Sequence, residues 1–271
     1  MSGYQNLHTH TKYCDGAHTP EELISAALER GCDSLGFSGH SYVPFDMKFA
    51  MSQEAMAQYL EHISRLKDEY EGIIEVFLGM EYDYYTPEPV DGLDYCIGAL
   101  HYVKKDGNHL TIDGSAELQQ KHVDTHFGGD WLAMAEEYYE TISRITTVRK
   151  IDIIAHFDVI AKYNFHCSQF DDGHQRYRSA AIGAMEEILK DCRLFEVNTG
   201  MMFKKNKYEP YPSVSLLKEL HARGGEVILS SDSHKAESLC YKFDDMMELL
   251  KSIGFRYIKR LTKSGFTDQP L

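Results

Sequence analysis

The residues of this chain best able to do chemistry are histidines and carboxylates that recur at the ends of apolar runs. The first case is Leu7-His8-Thr9-His10, where two imidazoles two positions apart on an extended segment project to one side and can grip one ion. Asp15 follows in Asp15-Gly16, whose glycine permits a tight turn that returns the carboxylate toward the same place. His40 comes after the run Ser34 to Ser38, and Glu81 after Val76-Phe77-Leu78-Gly79-Met80. An unpaired carboxylate at the end of such a run is costly, whereas one shared by two cations is stabilised, so a bridging role is expected for Glu81. His101 follows Ile97-Gly98-Ala99-Leu100, His156 follows Ile153-Ile154-Ala155, and Asn198 follows Leu194 to Val197. Finally, Ser230-Ser231-Asp232-Ser233-His234 repeats the spacing of the first segment with a carboxylate in place of one imidazole. Taken singly, each residue has an ordinary reading as a turn aspartate, a core histidine satisfied by a carbonyl, or a buried turn asparagine. Their recurrence at every run end points to a metal centre. Histidine mixed with carboxylate, without paired cysteines, suits catalytic zinc, manganese, iron or cobalt better than a thiolate zinc site or an all-oxygen calcium site.

Such a constellation needs elements that converge. Apolar runs that read as buried strands lie at 4–7, 34–38, 73–79, 95–100, 151–155, 194–197 and 226–230. Helical spacing of apolar residues falls near 52–70, 131–148, 177–191, 213–223 and 235–251. The first helix is the best marked, with Thr19 as N-cap, Pro20 at the first helical position, Glu21 and Glu22 in the first turn, and Gly31 as stop. Strand and helix are thus expected to alternate seven times, which implies parallel strands with right-handed crossovers. A closed barrel brings all strand ends to one face, whereas an open sheet collects only a few at a switch point, so the ligand pattern favours a single-domain α/β barrel over residues 1–271. Seven strands rather than eight make it a distorted one. The segment from Lys104 to Asp130, polar and bearing Gly107, Gly114, Gly128 and Gly129, reads as a loop that partly covers the site and helps select the substrate alcohol. The other histidines (18, 62, 109, 122, 126, 166, 174 and 221) fall in presumed helices or loops and read as solvated.

The bulk composition narrows the partners. With 43% hydrophobic residues and no apolar run near the roughly 20 residues of a membrane span, the chain reads as soluble, with no membrane partner. A net charge of −14 argues against nucleic acid, which is bound chiefly through basic residues, while bound divalent cations would offset that charge locally and receive an anionic small molecule. The six cysteines form no C-x-x-C and no framework, and the first residues lack a basic start and an apolar stretch, so reduced thiols and a cytoplasmic location are expected. Nothing in the sequence sets an oligomeric state.

An H-x-H strand, a D-G turn and later Glu, His, His and D-x-H strand ends, in this order, resemble the signature of the PHP (polymerase and histidinol phosphatase) superfamily. Within it, Glu196-Val197-Asn198-Thr199-Gly200, Glu209-Pro210-Tyr211-Pro212-Ser213 and Ser231-Asp232-Ser233-His234 resemble the monofunctional histidinol-phosphate phosphatases. The resemblance implies a distorted (β/α)7 barrel holding three metals. His8, His10, Glu81 and Asp232 would take the first, Glu81, His101 and His156 the second, and Asp15, His40 and His234 the third. Some relatives carry histidine where this chain has Asp15.

The implied reaction is hydrolysis of L-histidinol phosphate in histidine biosynthesis. Two cations a few ångströms apart would activate a bridging hydroxide and neutralise the phosphoryl oxygens, with Glu81, Asp232 and His234 as the catalytic set. His40 and the third metal would position the phosphate, as would Lys162 beyond the fifth strand and Lys204 beyond the sixth; Asn198 would hydrogen-bond the substrate. The leaving alkoxide takes a proton from Asp232 or from a metal water, and the sequence does not choose. Competing readings are a phosphoesterase acting on nucleotides or other esters, an amidohydrolase-type barrel, and a non-catalytic metal-binding module. The filled ligand positions disfavour the last, and Glu81 stands where an amidohydrolase barrel would bridge its metals through a carbamylated lysine.

Overall fold

The computed structural model describes residues 3–87, 89–205 and 208–271. Strand β1 (Tyr4–Asn6) leads through α1 (Pro20–Glu29) into β2 (Cys32–Phe37), and α2 (Gln53–Glu69) leads into β3 (Glu75–Asp83). A connection with no helix among its described residues then runs to β4 (Tyr95–Ala99). Next come a hairpin of β5 (Tyr102–Lys105) and β6 (Asn108–Thr111), and the helices α3 (Ala116–His126), α4 (Trp131–Ile142) and α5 (Ile145–Val148). After β7 (Ile153–Ile154) follow α6 (Asn164–Cys167), α7 (Gln175–Ile188), β8 (Leu194–Asn198), α8 (Gly200–Lys205), α9 (Val214–Ala222) and β9 (Glu226–Ser230). The chain ends with α10 (Phe243–Ile253) and a hairpin of β10 (Tyr257–Thr262) and β11 (Gly265–Pro270).

Strands β1, β2, β3, β4, β7, β8 and β9 lie side by side in that order, every adjacent pair parallel. The ring is completed past the strand ends, where Thr9 bridges Ser233, the His10 N–H donates to the Ser233 carbonyl at 2.8 Å and the Ser233 N–H to the His8 carbonyl at 3.0 Å. The result is the distorted seven-stranded barrel the ligand pattern called for. The expected seven-fold alternation of strand and helix fails once, between β3 and β4, where Pro87 and Pro89 deny backbone donors to a helix.

Local chemistry explains the elements. Thr19 and Glu22 form the reciprocal capping box that starts α1, with bonds of 3.3 and 2.8 Å. Leu23, Ile24 and Ala27 form its buried face, and Gly31 ends it at φ +73°. Helix α10 begins at Phe243 rather than near 235, because Cys240 and Lys242 take left-handed backbone and only a short 3-10 turn precedes them.

The Lys104 to Asp130 segment is not a loop. Asp106 and Gly107 both have positive φ, which suits a two-residue hairpin turn, and Ser115 caps the helix α3 that follows. The C-terminal hairpin, which the strand pattern did not announce, closes the end of the barrel opposite the ligands. Leu261 joins Leu7, Phe77, Ile97, Ile153 and Ile228 inside the barrel, and the Gln5 carboxamide pairs with both the N–H and the carbonyl of Leu261. Above them Tyr95 crosses the barrel and donates its hydroxyl to the carbonyls of Leu7 and Phe37. Gly36 and Gly79 make room for that ring, since a methyl group at either position would overlap it.

Candidate metal centre

Strand alternation decides which side chains reach the barrel axis. On β3, Phe77, Gly79 and Glu81 share the interior face, so the carboxylate of Glu81 enters the barrel directly above the ring of Tyr95. His8 and His10 lie just beyond β1, yet both rings still face the axis, with centroids 5.1 Å apart. His40 is carried by a bridge to Glu81, His101 and His156 lie just past β4 and β7, and Asp232 and His234 lie past β9. The left-handed backbone of Asp232 (φ 43°) turns the chain out of the β9 direction, a conformation that aspartate tolerates better than most residues.

All nine ligand candidates converge. Oε2 of Glu81 lies 3.3 Å from His8 Nε2, 3.5 Å from His10 Nε2 and 2.7 Å from His40 Nδ1. Its other oxygen, Oε1, lies 3.4 Å from His101 Nε2 and 3.0 Å from His156 Nε2. Asp232 Oδ1 is 3.1 Å from His10 Nε2 and 3.7 Å from His8 Nε2. Asp15 faces His234 at 3.1 Å, His10 at 3.6 Å and His40 at 3.7 Å. Three groups therefore have donor atoms close enough to hold an ion: His8, His10 and Asp232; His40, Glu81 and His101; and His10, Asp15, His40 and His234. Compared with the partition implied by the resemblance, His40 stands between the second and third groups and His10 between the first and third.

A test of fit comes from the polar atoms left over. His8 Nε2, His10 Nε2, Glu81 Oε2 and Asp15 Oδ1 are buried with no hydrogen-bond partner of suitable geometry among the described residues. Unpaired buried polar atoms are rare and costly, and four of them within one cluster of candidate ligands fit cations. The electrostatics agree. Burial disfavours charge on every one of these groups, yet Glu81, Asp15 and Asp232 are held far below the usual carboxylate range by the surrounding imidazoles, with Lys204 adding to the effect on Asp232. Burial is likewise overcome at His8, raised by Glu196, Glu81 and Asp232, and at His101, raised to about 10 by Glu81 and Asp83. His10 goes the other way, down to about 3, because burial is reinforced by the rings of His234 and His40. The donor set suits divalent metals.

The centre opens into a cavity of about 340 Å³ whose wall includes His40, Lys48, Asp113, Lys162 and Lys204. Lys162 is held against the Asp113 carboxylate, and Lys204 Nζ sits 3.0 Å from His234 Nδ1. Both lysines line that cavity. Asn198 does not: it is 1% exposed, its amide donates to Glu196 at 2.7 Å and its carbonyl accepts from the Gly200 N–H at 2.8 Å. Its polar atoms are spent inside the protein, which corrects the expectation that it contacts substrate. The other eight histidines stay outside the cluster, though His62, His109 and His126 are half-buried with specific neighbours rather than freely solvated. Two carboxylates behind the ligands, Asp83 and Glu196, had been passed over. Each shares an interior strand face with a residue already singled out, Asp83 two positions after Glu81 and Glu196 two before Asn198, and that spacing was the available signal.

Comparison with known proteins gives a consistent picture. A family model described as the PHP domain matches residues 6–200. The chain is 27% identical over 269 residues to the probable histidinol-phosphatase of Deinococcus radiodurans, spanning 95% of this chain and 96% of that protein. It is 25% identical over 269 residues to the histidinol-phosphatase of Bacillus subtilis, spanning 89% of this chain and 97% of that protein. Among solved structures, the histidinol phosphate phosphatase of Lactococcus lactis, complexed with zinc, L-histidinol and phosphate, superposes with a TM-score of 0.74 at 18% identity, covering 98% of this chain and all of that one. At that identity the likeness is one of fold.

Proposed function

The chain belongs to the PHP domain family, and on that premise we propose that it is a cytoplasmic, metal-dependent phosphomonoesterase that hydrolyses L-histidinol phosphate to L-histidinol and phosphate. The observation that carries the reading is Glu81, a buried carboxylate whose two oxygens face two separate sets of imidazoles, as a ligand bridging two cations must. The curated relatives matched over nearly their full lengths are named for this substrate.

Two or three divalent cations, zinc, manganese, iron or cobalt, would supply a hydroxide nucleophile near neutral pH and positive charge for the phosphoryl oxygens. His8, His10, Glu81 and Asp232 would hold the first, Glu81 with His101 and His156 the second, and Asp15, His40 and His234 the third. Lys162 and Lys204 reach the phosphate from the cavity wall, Lys162 exchanging its contact with Asp113 for one with the substrate. The departing alkoxide would take its proton from Asp232 or from a metal water. Attack in line with the ester bond breaks the P–O bond and leaves histidinol with its hydroxyl restored.

Steady-state kinetics of the metal-reconstituted protein on histidinol phosphate beside nucleoside monophosphates tests the reading. A strong preference for histidinol phosphate, abolished by His8→Ala or Glu81→Ala, is expected. Comparable efficiency on all esters would sink the narrow substrate, and unchanged rates in those variants would sink the mechanism.

A further inference from the structure

Glu196 is a fully buried carboxylate that touches no substrate and is not among the expected metal ligands, yet every acceptor position it has is engaged. Its Oε2 accepts from His8 Nδ1 at 2.8 Å and from the Ser230 hydroxyl at 2.6 Å. Its Oε1 accepts from the His156 backbone N–H at 2.6 Å and from the Asn198 amide at 2.7 Å. A carboxylate is acceptor-only and has room for about four donors, so this one is saturated.

Saturation fixes a tautomer. Because Glu196 can only accept, the proton of neutral His8 must sit on Nδ1, which leaves the lone pair on Nε2, the atom that faces Glu81 and Asp232. The same carboxylate pins the main chain of His156, whose Nε2 approaches the opposite oxygen of Glu81. Asp83 repeats the arrangement for His101, accepting from its backbone N–H at 3.0 Å and from Nδ1 at 3.1 Å while Nε2 faces Glu81.

We infer that Glu196 is a positioning residue of the metal centre: from one point behind the site it sets the ligating tautomer of His8 and the placement of His156, and so serves both ion positions that share Glu81. This rests on the metal reading of the site and not on the identity of the substrate.

The test is a chelator-competition titration with zinc, together with nitrogen-15 NMR of the histidine rings. In wild-type protein, His8 should show a proton on Nδ1 and zinc on Nε2. In Glu196→Gln, the carboxamide must turn its NH2 toward at least one pair of existing donors. Zinc affinity at the shared sites is then expected to fall about 10–100-fold, and zinc-bound His8 should no longer show the single Nδ1-protonated form. Asn198→Ala removes a different donor to Glu196 and leaves the His8 contact intact, so it should keep the His8 tautomer and bind zinc within about threefold of wild type. Wild-type affinity and tautomer in Glu196→Gln would overturn the inference, and so would zinc on Nδ1 of His8 in the wild type, a result that stands even where Glu196→Gln does not fold. A wild-type protein that binds no zinc would instead overturn the metal reading itself.

Discussion

Replacing Gly79 by alanine would place a methyl carbon 2.5 Å from both Cε atoms of Tyr95 and closer still to Cζ, where carbon atoms normally keep about 3.5 Å. The ring would have to retreat by about 1 Å, and it has nowhere to go, because its far end already lies against Gly36 and the Leu7 carbonyl. Overpacking of this kind costs about 1–3 kcal/mol. The displaced hydroxyl would also lose its bonds to the carbonyls of Leu7 and Phe37, adding about 1–3 kcal/mol. The sum, roughly 2–6 kcal/mol, corresponds to a fall in Tm of roughly 5–20 °C for a chain of this size. Differential scanning calorimetry on metal-loaded protein measures it. Because Leu7 immediately precedes His8, the variant should also bind metal less tightly. Tyr95→Leu removes the ring atoms that collide, so the double variant should be more stable than the sum of the two single losses by at least about 1 kcal/mol. A Tm within 1 °C of wild type for Gly79→Ala, or strict additivity in the double variant, would refute the packing argument.

Further expectations concern charge, substrate and the far end of the barrel. His8, His40 and His101 are all raised, His101 to about 10, so the metal-free protein carries a proton on His101 at neutral pH that metal must displace. Calorimetric titration in two buffers of different ionisation enthalpy should therefore show proton release, with affinity rising as pH rises; uptake, or no proton linkage, would contradict the assignment. In the same metal-free protein a raised histidine stabilises the fold below its unfolded value near 6.5, and for His101 that contribution is lost as pH climbs through about 10, which chemical denaturation at a series of pH values would register. Lys204→Ala and Lys162→Ala should each raise KM for the phosphate ester about tenfold with smaller effects on kcat, the loss of one charge-assisted contact; unchanged KM in both would place the phosphate elsewhere. Leu261→Ala should cost about 2–5 kcal/mol in denaturant unfolding while leaving metal content intact, since Leu261 packs inside the barrel at the end away from the ligands.

The strands were legible because a barrel strand, buried on both faces, must be a short apolar run, and the site was legible because each run stopped at a group able to bind metal. The turn at Asp106-Gly107 had a clear signal, but so many nearby glycines suggested a loop, and the hairpin was missed. The β10–β11 hairpin escaped for a different reason: its strands are largely polar, and only Ile258 and Leu261 are buried, so its role depends on a partner surface that no local pattern announces. Asn198 was misjudged because strand-end position predicts proximity to the site but not which neighbour takes the hydrogen bonds. Glu196 supplies that neighbour, and a sequence read for ligands alone passes over the groups that hold them.

Between the first and last strands of the barrel a single bridge and two backbone bonds do the joining. The residues proposed to hold the first ion, His8 and His10 on one side and Asp232 on the other, flank that seam. A metal bound there is a stitch across it, tying residue 8 to residue 232 much as a disulfide would, and a cross-link closing so long a loop removes about 5 kcal/mol of chain entropy from the unfolded ensemble. The cation would then be a structural fastener as well as a reagent. Stripped of it, the enzyme would breathe first at the place where its two ends meet, and amides near Thr9 and Ser233 would exchange with solvent ahead of the rest of the wall.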